Sequence, residues 1–434
     1  MLIEFSIGNY RSFKDKVTFS MVAANIVAKD PKIDENNTFA VDDKLTLLKS
    51  AAIYGANASG KSNLAKAISF MKWFMINSSK ETQSTEEIGV EPFRLSTETE
   101  TEPSLFEIVF LLDGKKYRYG FEATQQRVIS EWLFYVPNKR ETRIFERNFE
   151  ESTEIFNISK IFKGGGIDSK TRHNALFLSV AAQFNVEIAE KILDWLTRKL
   201  KIISGLDDIS DYTVSYLAEG NDNRSDIIQL IKKLDLGIRE ITVKETEIRL
   251  NSLPLPEDTS EELKKMIVKS GIVKATLIKT VHQKFDSQGN HISLELFDLY
   301  EHESEGTQKI VSIAGILVDT FKNGDVLIFD EFDARLHPLI TKAIVEIFNS
   351  QETNYNNAQL IFITHDTNLL SNKLFRRDQI WFTEKNKYGA TDLYSLVEYP
   401  IRNDASFEND YIQGKYGAIP FIGNLSQILG NPDA

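Results

Sequence analysis

Two stretches far apart in the sequence hold residue types suited to phosphate chemistry. The first is Gly55-Ala56-Asn57-Ala58-Ser59-Gly60-Lys61-Ser62. Its spacing, G-x-x-x-x-G-K-[ST], suits a loop whose backbone N–H groups close around a phosphate chain. Lys61 is placed to meet the terminal phosphates, and the Ser62 hydroxyl is a ligand for Mg²⁺. The second is Asp330-Glu331, two carboxylates ending the apolar run Val326-Leu327-Ile328-Phe329. Asp330 would hold Mg²⁺, directly or through water, and Glu331 would polarise an attacking water. Two shorter pieces flank that pair. In Glu303-Ser304-Glu305-Gly306-Thr307-Gln308, Ser304 and Gly306 offer a hydroxyl and bare backbone at a helix start, a second anion site. His365 follows Leu360-Ile361-Phe362-Ile363-Thr364, where it would sense a terminal phosphate. Taken singly, these are also what a turn, a strand end, an N-cap and a structural histidine look like.

The elements around them are the ones such chemistry needs. Leu47, Leu48, Ala51, Ala52, Ile53 and Tyr54 predict a buried strand. Leu64, Ala67, Ile68, Met71 and Met75 then recur at helical spacing. A strand, a glycine loop and a helix bring a positive helix end to the phosphates. The runs before Asp330 and His365 are continuously apolar, as in strands buried on both faces. Open α/β sheets bind ligands at the carboxyl ends of such strands. Ile310, Ile313, Ala314, Leu317 and Phe321 predict a helix after Ser304.

Elsewhere, residues 2–23 alternate around Asn9-Tyr10-Arg11-Ser12-Phe13, which predicts a hairpin. Residues 78–102, rich in Ser, Thr and Glu, read as a mobile surface loop. Phe106 to Leu112, Asp113-Gly114 and Tyr117 to Phe121 predict a hairpin on a favoured turn. Trp132 to Val136 and Ile144 to Phe145 extend it into a meander. After Gly164-Gly165-Gly166 the pattern turns helical, with Ile188, Ile192, Leu193, Trp195 and Leu196, then Ile227, Ile228, Leu230 and Ile231. Residues 252–262 read as a linker, and strand signals return at 273–281 and 292–299. No heptad pattern is sustained, so the insert is expected to be a compact lobe rather than a coiled-coil arm. The expected organisation is an N-terminal half (1–160) with the phosphate loop and meander, a mainly helical insert (161–270), a C-terminal half (271–400) and a tail (401–434).

The 434 residues contain no cysteine, which excludes disulfides, thiolate metal sites and a cysteine nucleophile. Hydrophobic content of 42% and charged content of 26% are ordinary for a soluble globular protein. No apolar run reaches the ~18 residues that span a bilayer, so a soluble, cytoplasmic protein without membrane contact is expected. A net charge of −12 repels nucleic acid at long range. The basic clusters Lys139, Arg140, Arg143, Arg147 and Arg198, Lys199, Lys201 make nucleic-acid contact possible but not indicated.

The order of phosphate loop, Ser-x-Gly helix, Asp-Glu strand end and His strand end resembles ATPases of the ABC class. Asn9-Tyr10-Arg11-Ser12-Phe13, Asn57 and Asn63 point to the RecF/SMC/OLD branch. Closer still, the chain is similar to the stand-alone AAA-type ATPases of bacterial anti-phage systems, of the RloA/AbiL/AriA kind. Glu303-Ser304-x-Gly306-Thr307, Asp330-Glu331-x-Asp333-x-x-Leu336-His337-Pro338, Thr364-His365-Asp366 and Gly414-x-Tyr416-Gly417 carry that resemblance. So do Tyr117-Arg118-Tyr119-Gly120-Phe121 and Leu176-Phe177-Leu178-Ser179.

The resemblance implies an α/β fold: an ABC-type core with a mixed sheet, an antiparallel β subdomain and a mainly helical insert. It implies ATP and Mg²⁺ as ligands, and ATP hydrolysis with Lys61, Glu331 and His365 as catalytic groups. Gly55 through Asn63, with Arg11, Ser304, Gly306 and Asp333, would contact nucleotide. Ser62 and Asp330 would hold the metal. Two subunits would pair head to tail, each ATP lying between one phosphate loop and the other subunit's Ser304/Gly306 segment. Residues 333–337 would communicate across that interface. Two departures stand out. Glu305 sets a carboxylate where the usual signature has glycine. The glutamine expected between phosphate loop and signature could be Gln83, Gln125 or Gln126. The implied role is sensor and scaffold of an anti-phage system with a separate nuclease effector. The alternatives are a RecF-like repair ATPase that binds DNA itself, and a nuclease with its own effector domain. The stretch after His365 is short for the latter.

Overall fold

A computed structural model describes residues 1–81, 83–137, 140–218, 222–234, 237–249, 272–402 and 404–420. The chain packs as two units. The first comprises Met1–Leu206, Thr320–Ala334 and Pro338–Ala434; the second comprises Asp207–Asp319 and Arg335–His337. The linker reading at 252–262, Lys139 and the tail residues Phe421 and Ile422 fall outside the described residues. Among the described residues no helix is long and apolar enough to cross a membrane.

The first unit is built on two sheets. One runs, in spatial order, Leu200–Ser204, Val326–Asp330, Gln359–Ile363, Ser50–Gly55, Ile380–Lys385 and Thr391–Ser395. The first five strands are parallel and the last is antiparallel to its neighbour. The apolar runs flanking the motifs are thus buried strands, as continuous hydrophobicity predicts. Register pairs Phe329 with Phe362 and Phe362 with Ala52. That alignment sets the strand ends bearing Asp330, His365 and Gly55 side by side. The other sheet is antiparallel, with seven strands from Thr153–Ile158 through Lys115–Ala123 and Ser104–Leu112 to Leu2–Gly8 and Val17–Ser20. Its central hairpin turns at Asp113 and Gly114, whose φ values of 50° and 71° give the left-handed pair that such a turn requires. The fold is therefore α/β, a mixed core sheet with an antiparallel β subdomain.

The stretch 161–270 contributes to both units. Its helices Phe177–Gln183 and Glu187–Arg198 lie in the first, because Phe177, Ile192, Trp195 and Leu196 enter the same core as Phe110 and Phe145. Trp195 stacks on Phe110 with ring centroids 4.5 Å apart.

A buried ionic network ties these helices to the antiparallel sheet. Glu131 is fully buried and accepts from the Phe177 N–H at 2.6 Å, the Leu178 N–H at 2.9 Å and the Tyr119 hydroxyl at 2.9 Å. It therefore caps the helix Phe177–Gln183 from a distant strand. Arg147, 1% exposed, lies 3.7 Å from Glu131 and donates to the Ala175 carbonyl at 2.6 Å and to Glu154 at 2.7 Å. Burial raises the Glu131 carboxyl pKa while Arg147 and the two N–H groups lower it. Arg147→Met removes the only guanidinium on this carboxylate among the described residues, and should cost about 3–5 kcal/mol. An unchanged denaturation midpoint would show that Glu131 is stable there without its partner.

Two sequence expectations change. The described residues of 78–102 lack helix and strand, but they are tied down rather than loose. Ile88, Val90 and Phe93 are buried, and Asn9 donates to the Thr99 and Glu102 carbonyls at 2.8 Å each. The basic clusters are largely spent on carboxylates. Arg143 pairs with Glu146, Arg147 with Glu154, Arg198 with Asp194, and Lys199 and Lys201 with Asp325. In the described part of the tail, Tyr411 stacks on Phe382, and Tyr416 is 2% exposed.

The second unit holds the helices Ser210–Ala218 and Asp222–Lys233. Its three-stranded antiparallel sheet is Glu240–Arg249, Ile272–Phe285 and His291–Asp298. The helix Glu305–Asn323 starts there.

Candidate functional site

The phosphate-loop strand, Ser50–Gly55, is buried along its whole length, and the helix Lys61–Asn77 follows the loop. Gly60 caps this helix with φ 109°, a conformation that favours glycine. A Cβ there would press on the Thr391 hydroxyl and lie 2.8 Å from Ser12 Oγ. A Cβ on Gly55 would lie 2.6 Å from Ser59 Oγ. Close packing fixes the loop's outer wall. Thr391 Oγ1 donates to the Ser59 carbonyl at 2.7 Å, the Ser59 and Thr383 hydroxyls are 2.6 Å apart, and Asn63 donates to Ser12 Oγ at 2.8 Å.

Lys61 is buried and its ammonium donates to the Gly55 and Ala56 carbonyls at 2.7 and 2.9 Å. Burial lowers its pKa to about 8, against the opposing pull of Asp330 and Asp333. It remains charged at neutral pH. Ser62 Oγ donates to Asp330 Oδ1 at 3.1 Å. Burial holds the Asp330 carboxyl above its usual range, although Ser62 and the Glu331 N–H both favour the charged form. Glu331 takes φ 53°, a costly conformation for a residue with a side chain. Its Oε2 is buried and has no hydrogen-bond partner among the described residues. Buried polar atoms are rarely left so without a functional reason. His365 stands at the next strand end. Partial burial and the Lys61 charge lower its pKa, while Asp333 and Asp330 pull it upward.

These groups line one cleft of about 390 Å³, walled by residues 57–63, Asp330, Glu331, Ile363, His365 and Lys385. Other expected contacts do not line it, Gly55 and Ala56 among them. Asp333 accepts from Thr364 Oγ1 at 2.6 Å and from the His365 N–H at 3.3 Å, so it braces the histidine strand end. Arg11 pairs with Glu91 at 2.6 Å and does not line the cleft. Gln83, Gln125 and Gln126 do not line it either.

In the second unit, Ser304 Oγ accepts from the Thr307 N–H at 3.1 Å, a helix N-cap. Glu305, the departure from the usual signature, pairs with Arg335 at 3.5 Å. A Cβ on Gly306 would lie 3.0 Å from the Arg335 carbonyl, so glycine fits a tight approach. Glu303 is held by Thr280 and by His282, the latter at 2.6 Å.

Residues 50–371 match the family model described as "AAA domain, putative AbiEii toxin, Type IV TA system". The chain belongs to this AAA-domain family. An ATPase family implies ATP as the nucleotide. A search of curated proteins gave no match. Solved structures with similarity include the SMC head domain from Thermotoga maritima, at 12% identity and TM-score 0.39, covering 91% of this chain and 98% of that one. An Smc head bound to the C-winged helix domain of ScpA gives 14% and 0.42, covering 91% and 97%. The recombination mediator RecF with ATP gives 13% and 0.34, covering 91% and 99%.

Sequence reasoning missed three residues near these segments. Lys385 reaches the cleft from the strand Ile380–Lys385, which belongs to no motif. Gly205 donates to the Asp330 carbonyl at 2.7 Å, and a Cβ on it would collide with the Glu331 carbonyl. Only its place after the apolar strand Leu200–Ser204 hints at this. His282 reaches Glu303 from another strand, which no local pattern signals.

Proposed function

We propose that this protein binds and hydrolyses ATP with Mg²⁺, pairs head to tail around the nucleotide, and serves as sensor and scaffold of a bacterial anti-phage system by controlling a separate nuclease effector. The observation that carries the ATPase reading is the Ser62–Asp330 contact of 3.1 Å beside the buried Glu331 Oε2, which has no hydrogen-bond partner among the described residues. Two oxygen donors suited to Mg²⁺ and a free carboxylate oxygen stand next to a glycine loop and a lysine. Ser62 and Asp330 would hold the ion, which when bound neutralises phosphate charge. Glu331 accepts a proton from the attacking water. Lys61 supplies positive charge to the phosphate chain. His365, braced by Asp333, senses the terminal phosphate. Ser304 and Gly306 of the partner subunit close the site. The family description, with its AbiEii toxin and type IV system, supports the defence role. Direct DNA binding is less well supported, since Arg143, Arg147, Arg198, Lys199 and Lys201 of the basic clusters pair with Asp or Glu.

Complementation tests the composite site. Ser304→Arg fills the second anion site, and Lys61→Ala disables the phosphate loop. Each protein alone should be inactive. Mixed, they should regain ATPase activity, because a mixed dimer contains one site with both halves intact. No recovery at any ratio, with mixed dimers shown to form, would rule out sharing.

A further inference from the structure

Lys385 is the second cation in the cleft. It ends the strand Ile380–Lys385, which lies parallel to the phosphate-loop strand with Thr383 beside Gly55. The strand order puts it on the flank opposite Asp330 and His365, since Ser50–Gly55 separates Ile380–Lys385 from Gln359–Ile363 and Val326–Asp330. Its side chain is exposed on the cleft wall. The neighbouring carboxylate, Glu384, faces the other way along the strand and receives the Tyr394 hydroxyl at 3.2 Å. The surrounding wall is fixed: Thr383 bonds Ser59, and Thr391, paired with Lys385 across the hairpin, bonds the Ser59 carbonyl. A flexible ammonium thus stands on a rigid strand end, and the acids that line the cleft among the described residues, Asp330 and Glu331, lie on the other flank.

A nucleotide laid along the loop has two distinct ends. Ser62, Asp330, Glu331 and His365 gather at one flank, where hydrolytic chemistry belongs. The proximal phosphate and sugar must then lie toward the other flank. We propose that Lys385 binds the proximal phosphate end of the nucleotide, a charge contact shared by di- and triphosphates and separate from the hydrolytic end. This rests on the ATP-site reading and adds a residue to it. Charge contacts of this kind strengthen binding without touching the bond that breaks.

The test compares ATP and ADP binding by calorimetry with steady-state kinetics in the full chain. Lys385→Ala should weaken ATP and ADP alike, by about tenfold each, and raise KM by a similar factor while kcat moves less than twofold. Lys385→Arg should restore most of the affinity, because it keeps the charge. The loss should shrink as salt rises. Unchanged affinities for both nucleotides, with wild-type binding intact, would overturn the assignment and leave the ATP site standing. A loss confined to ATP, or a fall in kcat at constant KM, would overturn it too, by placing Lys385 at the hydrolytic end. A wild-type chain that binds neither nucleotide would overturn both readings together.

Discussion

Glu331→Gln should keep ATP and lose turnover, by about 10²-fold or more. The amide preserves shape and hydrogen-bonding reach but cannot take a proton from water. The native carboxylate is well placed for that task. Its Oε2 is buried without a hydrogen-bond partner among the described residues, and its backbone is held at φ 53° against Gly205. Such a conformation costs of order 1–3 kcal/mol and persists where surrounding structure enforces it. Gln at 331 keeps the enforcing contacts, so the fold and the nucleotide site should survive. ATP should then accumulate in the closed dimer, read as a nucleotide-dependent increase in mass by light scattering. Normal hydrolysis by this variant would assign the base to another residue.

The phosphate loop and the Asp330–Glu331 strand end were legible as elements because each is local: a few consecutive residues specify the element and where it ends. The hairpin at Asp113-Gly114 was legible for the same reason. Lys385 and Gly205 were not, because their positions follow from strand order. Ile380–Lys385 lies beside a strand more than three hundred residues earlier, and no spacing rule connects them. Residues 78–102 misled by composition. Their polar majority hides Ile88, Val90 and Phe93, which are buried, and the Asn9 amide that fastens the backbone. The same blindness applies to charge. Arg147 reads as part of a basic surface cluster, yet it is buried against Glu131 and Glu154, partners that only the folded sheet supplies. Phrases that carry the resemblance can be structural for that reason: Gly120 leaves room for Trp132, and Leu176-Phe177-Leu178 presents the N–H groups that Glu131 caps.

Lys61→Ala should weaken ATP binding by well over tenfold, about 2–4 kcal/mol for a lost charge-assisted contact. Lys61 is buried at the loop, charged at neutral pH, and close enough to Asp330 and Asp333 to feel both. Without it the phosphates meet Asp330 and Glu331 with no lysine or arginine lining that flank of the cleft among the described residues. Lys385 stands on the opposite flank and cannot take over the terminal phosphates. Calorimetry reads the affinity directly, and an unchanged value would sink the assignment of this loop. The same variant tests purpose. If ATP turnover drives a shape change that restrains or releases an effector, then Lys61→Ala, co-expressed with the adjacent gene product, should abolish phage resistance in a plating assay and alter the complex recovered by pull-down. Weak ATP binding together with full phage resistance would separate the two readings, leaving an ATPase whose work is not defence and making DNA repair the better account.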